Sequence, residues 1–422
     1  MSGILQARTY LFRSHSQLRD VITPLRDLYA GHSLLFSLSH NTPDLEHAIS
    51  QLSSCSGETL GCLSSPLPVE NPSHMFSCSI AVFEKERSVP FSTLESSDMT
   101  IQIGRARSYR KQEMEYEGNS KNPQLHNISS WDRLWDERHS ISLPKELKNK
   151  RNIQSFVYFT GSDSWGLGST LHHHFPTSCQ LGILASSTPF VTGRPNTLFR
   201  NGKIQSSGAV GIALLDTPTH KELHYNGLVR LTGPLPVQRS EGNLIHELGD
   251  SLPARILLAS IKEHGLSDDL AKEVDYFINI KPKNSASSSP EQLLRIVAGS
   301  PSQGSIAVEE VSAPEAGTDI EFYYRPQLSK ITLPNDIVTL CNKNSDCLLG
   351  SVVYDVDSFH RDSSLQSQEN KDETRGYQVY NHSFLNASEH GFILSPNVQN
   401  KLLAPWRCSV SGAFGGLRFN GL

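Results

Sequence analysis

The sequence predicts an α/β or α+β fold built from two related halves, in which helices pack on mixed β-sheets. Apolar runs of strand length alternate with helix-like stretches. One such order of elements occurs twice along the chain, which indicates an internal repeat. The chain has 422 residues, of which 37% are hydrophobic. That length and composition suffice for two or three domains with buried cores.

The first copy of the repeat begins with a strand-like run at His32–Ser39, followed by a helix-like stretch at Asp44–Leu52. Two more strand-like runs follow. Leu60–Ser65 starts with Leu-Gly and ends in Ser-Ser, whereas Ser77–Phe83 is rich in small residues. This order predicts an α/β layer with the helix packed on the sheet.

The second copy has the same order of elements. Its first strand is predicted at Ser155–Thr160 and its helix at Leu167–Phe175. Its Leu-Gly strand, Leu181–Ser187, again ends in Ser-Ser, and its small-residue strand is Ser207–Leu214. The shared order implies that both copies form related layers.

The C-terminal half echoes these patterns. Ser411–Leu417 resembles Ser207–Ala213, and Leu293–Gly299 followed by Gly304–Val308 predicts a β-hairpin. Small residues at this spacing allow another backbone, or a ligand, to approach one face of a strand. Close packing between sheet and helix is the alternative explanation.

Polar stretches suggest the domain organisation. We expect a first domain at residues 16–252, carrying a polar insertion rich in Lys and Arg at residues 105–151. A second domain is expected at residues 253–422, with flexible loops at residues 283–290 and 361–375.

The first residues have the composition of a targeting segment. Three arginines and several serines, but no acidic residue, occur through Arg19, as in mitochondrial presequences. Residues 1–15 are therefore a predicted targeting segment. The alternative is that an amphipathic helix at Ser16–Tyr29 simply begins the first domain. We expect an intracellular protein, either mitochondrial or cytoplasmic.

Charge and cysteine content exclude several classes of protein. The formal net charge of −5 predicts no nucleic-acid partner, and no run of about 20 apolar residues predicts a membrane span. Seven cysteines occur without a CxxC pair. Cys341 and Cys347 are close together but lack further ligands, so we predict ordinary thiols and no metal. No cofactor is predicted, because the G-x-G at Gly166 and Gly168 lacks the third glycine of a dinucleotide site.

Two motifs invite catalytic or metal hypotheses. Ser164 lies in G-x-x-S-x-G, which is one residue longer than the nucleophile elbow of hydrolases. A serine hydrolase is therefore only an alternative, and no catalytic residue is assigned. His172, His173 and His174 are consecutive, so their side chains point in different directions and do not readily bind one ion. An exposed helix end is the preferred interpretation of these histidines.

The ends of the two Leu-Gly strands carry the candidate ligand site. Strand ends and the loops after them are where α/β proteins place ligands. A nearby guanidinium suits a carboxylate or a phosphate. The candidate residues are Ser64, Ser65, Ser186, Ser187, Thr188 and Arg194. The alternative is that they make only turn hydrogen bonds. The polar cluster Ser388–Gly391 is likewise either part of a ligand pocket or an ordinary turn at the start of a strand.

A protein-interaction scaffold is a second alternative. Trp131 and Trp135 lie in the basic insertion at residues 105–151. Tryptophans of this kind anchor protein partners at interfaces.

These runs resemble the FIST domain. Leu34–Ser39, Leu60–Ser64, Cys78–Val82, Leu181–Leu184 and Ser207–Gly211 resemble its N-terminal part, and Leu294–Ala307 looks like the start of its C-terminal part. Members occur in bacterial signalling proteins and in a eukaryotic F-box protein. The resemblance implies a two-part sensory module for signal transduction that binds a small polar ligand, such as an amino acid, without catalysis.

The chain also departs from that family. It lacks the Cys-x-Gly-Arg-Gly stretch and the Gly-Glu-Ile-Gly pattern of the C-terminal part, and its nearest tail is Trp406–Gly416. No F-box is recognisable before Leu34, so a role as a ubiquitin-ligase adaptor is not expected.

Overall fold

The computed structural model describes residues 3–69, 75–93, 142–161, 165–267, 271, 274–281, 290–299, 304–310, 312–326, 331–343, 346–354, 377–395 and 405–421. Helices and strands are numbered along the chain. The α-helices are α1 (His15–Tyr29), α2 (Leu45–Ser53), α3 (Trp165–His174), α4 (Pro189–Thr192), α5 (Pro253–Glu263) and α6 (Asn335–Lys343), and short 3-10 turns occupy Lys85–Arg87 and Lys145–Leu147. Mixed sheets accompany these helices, so the predicted fold class is confirmed.

Sheet 1 contains the first copy of the repeat. Its strands are, in order across the sheet, β11 (Lys203–Gln205), β10 (Leu198–Arg200), β3 (Glu58–Ser64), β2 (Ser33–Ser39), β4 (Phe76–Phe83), β1 (Ile4–Phe12) and β22 (Tyr377–Asn381). Strands β2 and β3 are parallel and α2 connects them, whereas the other neighbours are antiparallel. Leu18 and Ile22 of α1 and Leu52 of α2 pack with this sheet in one hydrophobic core.

Sheet 2 repeats sheet 1. Its order is β25 (Trp406–Cys408), β24 (Phe392–Leu394), β7 (Cys179–Leu184), β6 (Ser155–Thr160), β12 (Ala209–Leu214) and β5 (Ser88–Thr93). Strands β6 and β7 are parallel and α3 connects them. An antiparallel strand flanks each side of this pair, as in sheet 1. The predicted internal repeat is therefore visible in the topology.

A third sheet extends the repeat. Its order is β13 (His220–His224), β26 (Phe414–Phe419), β21 (Cys347–Val353) and β23 (Ser383–Ser388). Strands β21 and β23 are parallel, and β26 runs antiparallel to β21. Strand β26 thus occupies the position that β12 has in sheet 2, which agrees with the resemblance between Ser411–Leu417 and Ser207–Ala213.

The repeat also holds at the level of single residue pairs. Phe36 of β2 pairs with Gly61 of β3, and Tyr158 of β6 pairs with Gly182 of β7. A Cβ atom on either glycine would overlap the aromatic ring of its partner. The Leu-Gly motif therefore marks the place where an aromatic ring lies across the neighbouring strand.

The remaining large sheet closes on itself. Its order is β14 (Val229–Arg230), β20 (Asp319–Arg325), β15 (Leu235–Glu241), β16 (Leu244–Leu248), β19 (Ile306–Val308), β18 (Leu293–Gly299) and β17 (Asp275–Lys281). An additional pairing joins β17 to β20, so six antiparallel strands form a closed barrel. Strands β18 and β19 are antiparallel neighbours, as the predicted hairpin requires.

Two compact units divide the chain. Unit 2 comprises the described residues within Gly227–Leu328, which form the barrel, and unit 1 comprises the described residues before and after it. The predicted boundary between residues 252 and 253 falls inside unit 2, between β16 and α5. The chain returns to unit 1 because β22 pairs with β1 and β24 pairs with β7, and such long-range pairing leaves no mark in local composition.

Strand β1 occupies most of the predicted targeting segment. It covers Ile4–Phe12 within residues 1–15 and lies between β4 and β22. Tyr10 and Phe12 on this strand are buried in the core of sheet 1. Cleavage after residue 15 would therefore delete a strand of sheet 1 with two buried aromatic side chains.

Residues 105–141, 283–289 and 361–375 lie outside the described residues. No helix in the described part of the chain is long and apolar enough to cross a bilayer.

Candidate functional site

The ends of β3, β7 and β23 meet in unit 1. The backbone N–H of Ser65, just after β3, donates to the carbonyl of Ala387 on β23 at 3.0 Å. In the same way, the N–H of Ser186, just after β7, donates to the carbonyl of Leu63 on β3 at 3.1 Å. The segments that follow β3 and β7 therefore each form a hydrogen bond with the end of a strand in a different sheet. Ser65, Ser186 and Glu389 occupy equivalent positions in this arrangement.

The side chains at these three positions form a connected cluster, which we call the central triad (Ser65, Ser186 and Glu389). The two serine Oγ atoms lie 2.9 Å apart. Ser65 Oγ also donates to Glu389 Oε2 at 2.9 Å. Ser65 and Ser186 are both buried, so the predicted serines hold a carboxylate at the centre of the site.

The carboxylate of Glu389 stays charged in this setting. Its Oε1 accepts a hydrogen bond from the backbone N–H of Ser187 at 2.6 Å, and His390 Nε2 lies 3.6 Å away. Burial alone would raise the pKa of Glu389, but the Ser187 N–H and the neighbouring His390 outweigh it. The pKa is therefore lowered below its usual range, and Glu389 is anionic at neutral pH.

His40 lies at the same edge of unit 1. It follows β2, and its backbone N–H donates to the carbonyl of Ser64 at 2.9 Å. Burial lowers the pKa of His40, and the negative charge of Glu389 opposes that shift without cancelling it. An anionic carboxylate and a neutral imidazole therefore lie close together here.

Ser187 and His390 form the exposed part of the site. Ser187 Oγ lies 2.9 Å from His390 Nε2, and the same nitrogen faces Glu389. In a Ser-His-acid relay, the acid contacts the other ring nitrogen and leaves Nε2 for the serine. The geometry therefore differs from that of a hydrolase triad.

The six predicted site residues separate into different environments. Ser65 and Ser187 contact Glu389 directly, Ser187 also contacts His390, and Ser186 contacts the Ser65 hydroxyl. Ser64 is buried and offers its backbone carbonyl to His40. Arg194 is exposed, which leaves its guanidinium accessible from solvent.

Thr188 belongs to a turn. Its Oγ1 donates to the carbonyl of Arg194 at 3.1 Å and lies 2.7 Å from Thr197 Oγ1. Thr192 Oγ1 lies 2.7 Å from the same Thr197 hydroxyl. These contacts connect β8 (Ser187–Thr188), α4 and β9 (Arg194–Asn196), so Thr188 supports the loop that presents Ser187 and Arg194.

Sequence reasoning missed the central role of Glu389 and the presence of His40. The sequence marks Ser388–Gly391 as a polar cluster but does not place it beside Ser65. One signal was available, because Ser388-Glu389 ends β23 as Ser64-Ser65 ends β3. If the third copy of the repeat had been recognised in the sequence, Glu389 would have been placed with the two serines.

The histidine run and the cysteines do not form a ligand set. His172, His173 and His174 end α3, where His173 and His174 are exposed, as the helix-end interpretation requires. Cys341 and Cys347 are buried and unpaired. Within the described ranges, no three His, Cys, Asp or Glu side chains come close enough to hold a metal ion.

Three residues of the alternative hypotheses lie outside the described residues. They are Ser164, proposed for a hydrolase, and Trp131 and Trp135, proposed for a protein-interaction scaffold. Both hypotheses stay predictions.

No protein-family model and no curated protein matches this chain. The resemblance to the FIST domain is therefore an expectation that depends only on the sequence motifs.

Proposed function

We propose that the chain is a FIST-like sensory protein that binds a small polar, amino-acid-like metabolite at the central triad, without catalysis. The observation that carries this proposal is the charged carboxylate of Glu389. It lies where three strand ends meet, and its side chain is 20% exposed. Strand ends of this kind commonly bind small ligands.

The chemistry of the site favours a zwitterionic ligand. Around Glu389, the Ser65 hydroxyl and the Ser187 N–H hold the carboxylate, and His390 Nε2 lies 3.6 Å away. A ligand ammonium group would make a shorter charge-assisted hydrogen bond there. The exposed guanidinium of Arg194 suits the carboxylate of the same ligand.

The absence of catalysis is part of the proposal. It is supported by the position of His390, whose Nε2 faces both Ser187 and Glu389. An imidazole held in this way is poorly placed to pass a proton between a nucleophile and an acid.

We also propose an intracellular location, mitochondrial or cytoplasmic. The structure describes all seven cysteines and joins no two of them in a disulfide bond, which is typical of proteins in reducing compartments.

Thermal-shift screening and calorimetric titration of the full chain test this function. The ligands are free amino acids, the matching acids without an amino group and the matching amines without a carboxylate. We expect binding only when both groups are present. Glu389→Gln should abolish it, whereas Glu58→Gln, at the opposite end of β3, should not. Equal binding by the Glu389→Gln variant, or no binding of any amino acid at millimolar concentration, would overturn the proposal.

A further inference from the structure

A second candidate site lies in unit 1, in a groove between α1 and the edge of sheet 1. Its volume is about 800 Å³, within the usual range for small-molecule sites. Residues of α1 line one side, and residues of β1 and β22 line the other. None of the central-triad residues contributes to it, so the groove is separate from the proposed amino-acid site.

The short edge strand β22 shapes the groove. It pairs with β1 from Arg8 opposite Asn381 to Phe12 opposite Tyr377. Because alternate residues of a strand share a face, Gln6, Arg8 and Tyr10 lie on one face of β1, beside Asn381 and its alternate neighbours on β22. The groove is lined by these residues and by α1.

One side of the groove carries apolar side chains that are open to solvent. Leu28 of α1 is 66% exposed and Tyr377 of β22 is 40% exposed. Val21 and Val379 are half-buried and also line the groove. Large apolar side chains exposed together in a concave surface indicate a binding site.

Neutral side chains hold a cation in this groove. Burial raises the pKa of the Tyr10 hydroxyl, and the neighbouring Arg8 opposes that shift. In the orientation of the Gln6 amide that gives both its nitrogen and its oxygen a hydrogen-bond partner, the nitrogen donates to Tyr29 Oη at 2.9 Å. Its oxygen then accepts from Arg8 Nε at 3.1 Å and from Nη1 at 3.2 Å. The Arg8 guanidinium is exposed, and a neutral amide rather than a carboxylate holds it in position.

Arg8 lacks a carboxylate partner within the part of the chain that the structure describes. By contrast, ion pairs are formed by Arg87, Arg200, Arg230, Arg295 and Arg418, among others. Asp20 lines the α1 side of the groove but is not in ion-pair contact with Arg8. Asn381 pairs with Arg8 across the two strands and also lines the groove, so its side-chain amide offers a second donor for an anion.

We propose that this groove binds a long-chain carboxylic acid, with the carboxylate at Arg8 and Asn381 and the hydrocarbon chain along Leu25, Leu28 and Val379. A planar guanidinium matches a carboxylate through two parallel hydrogen bonds. The apolar wall removes the hydrocarbon chain from water. One charged end and one apolar wall together select an amphipathic acid over a fully polar metabolite.

A displacement assay with the full chain tests the proposal. The probe is the fluorescent fatty acid cis-parinaric acid, and all fatty acids are kept below their micelle concentrations. We expect oleate to displace the probe with one site per chain. Oleyl alcohol, which lacks the charge, should bind about tenfold more weakly. Arg8→Gln should weaken oleate binding by a similar factor and leave the alcohol unchanged. Arg13→Gln, an exposed change outside the groove lining, is the matched control.

A second pair of variants tests the apolar wall. Leu28→Asp should weaken binding of both oleate and oleyl alcohol, whereas Leu258→Asp, at an exposed position of α5 (47%), should not. Both leucines are exposed, so neither change should prevent folding, which circular dichroism checks. Equal binding of oleate and oleyl alcohol, or equal binding by the Arg8→Gln and Arg13→Gln variants, would overturn the proposal. Amino-acid binding should persist in the Arg8→Gln variant, which separates this site from the proposed function.

Discussion

The hydroxyl oxygens of Ser65 and Ser186 lie 2.9 Å apart although 121 residues separate them along the chain. They meet because equivalent strand ends of two repeat copies converge, and the third copy contributes Glu389. The repeat thus places two hydroxyls and one carboxylate at a single point of unit 1.

Ser65→Ala should therefore destabilise the protein. Ser65 is buried and donates to Glu389 while contacting Ser186, so its removal leaves the buried Ser186 hydroxyl and the Glu389 carboxylate each with one partner fewer. We expect a loss of about 1–3 kcal/mol in the free energy of unfolding, measured with urea. Ser207→Ala, at an exposed position, should have almost no effect. The Ser65→Ala and Ser186→Ala effects should not add in the double variant, and simple additivity would show that the two hydroxyls are independent.

Glu389→Gln should make stability less dependent on acidic pH. The pKa of Glu389 is lowered in the folded protein from its ordinary value of 4.5. A lowered pKa means that the carboxylate stabilises the fold above the unfolded-state pKa, and that this stabilisation is lost as pH falls through the folded-state pKa. The difference in unfolding free energy between wild type and variant should be largest at neutral pH and shrink below about pH 4. Urea unfolding across a pH series measures it, and a difference that grows on acidification would contradict the assignment.

Gly61→Ala and Gly182→Ala should destabilise the two sheets in the same way. The added methyl group would overlap the ring of Phe36 in the first case and of Tyr158 in the second. Overpacking of this kind costs about 1–3 kcal/mol. Gly31→Ala is the control, because nothing lies near its would-be Cβ atom. If the ring causes the loss, Phe36→Leu should reduce the effect of Gly61→Ala, measured by thermal unfolding of the single and double variants.

The parts of the fold that the sequence predicted are those with local signals. The Leu-Gly and Ser-Ser motifs revealed two copies of the repeat because both copies carry the same short residue runs, although β10 and β11, which lie between β7 and β12, pair into sheet 1. In the third copy, β22 lies between β21 and β23 along the chain but pairs with β1 of sheet 1. The barrel and the unit boundaries also depend on distant pairings, such as β17 with β20, and therefore escaped prediction.

The same distinction explains the candidate site. Ser65 and Ser186 were predicted because each follows a recognisable strand. Glu389 lies 324 residues from its partner Ser65, and only the folded chain brings them together. The Arg-rich start of the chain suggested a presequence, yet it contains a strand whose Arg8 is exposed while Tyr10 and Phe12 are buried.

Glu321 in the barrel of unit 2 provides a further test of which polar contacts stabilise the fold. Its side chain is 3% exposed, and Arg230 and Lys281 each approach its Oε1 only to 3.6 Å. Its Oε2 accepts hydrogen bonds from Asn279 Nδ2 at 3.2 Å and from Tyr323 Oη at 3.1 Å. The hydrogen bonds are therefore shorter than the ionic contacts.

Glu321→Leu should cost about 2–4 kcal/mol, because it leaves the buried amide of Asn279 and hydroxyl of Tyr323 without their acceptor. Arg230→Met should change stability by less than about 1 kcal/mol, since the Arg230 side chain is 57% exposed and exposed ion pairs contribute little. Urea unfolding of both variants measures the contrast. A larger loss for Arg230→Met than for Glu321→Leu would show that the ionic contact, and not the hydrogen-bond pair, stabilises this part of the barrel.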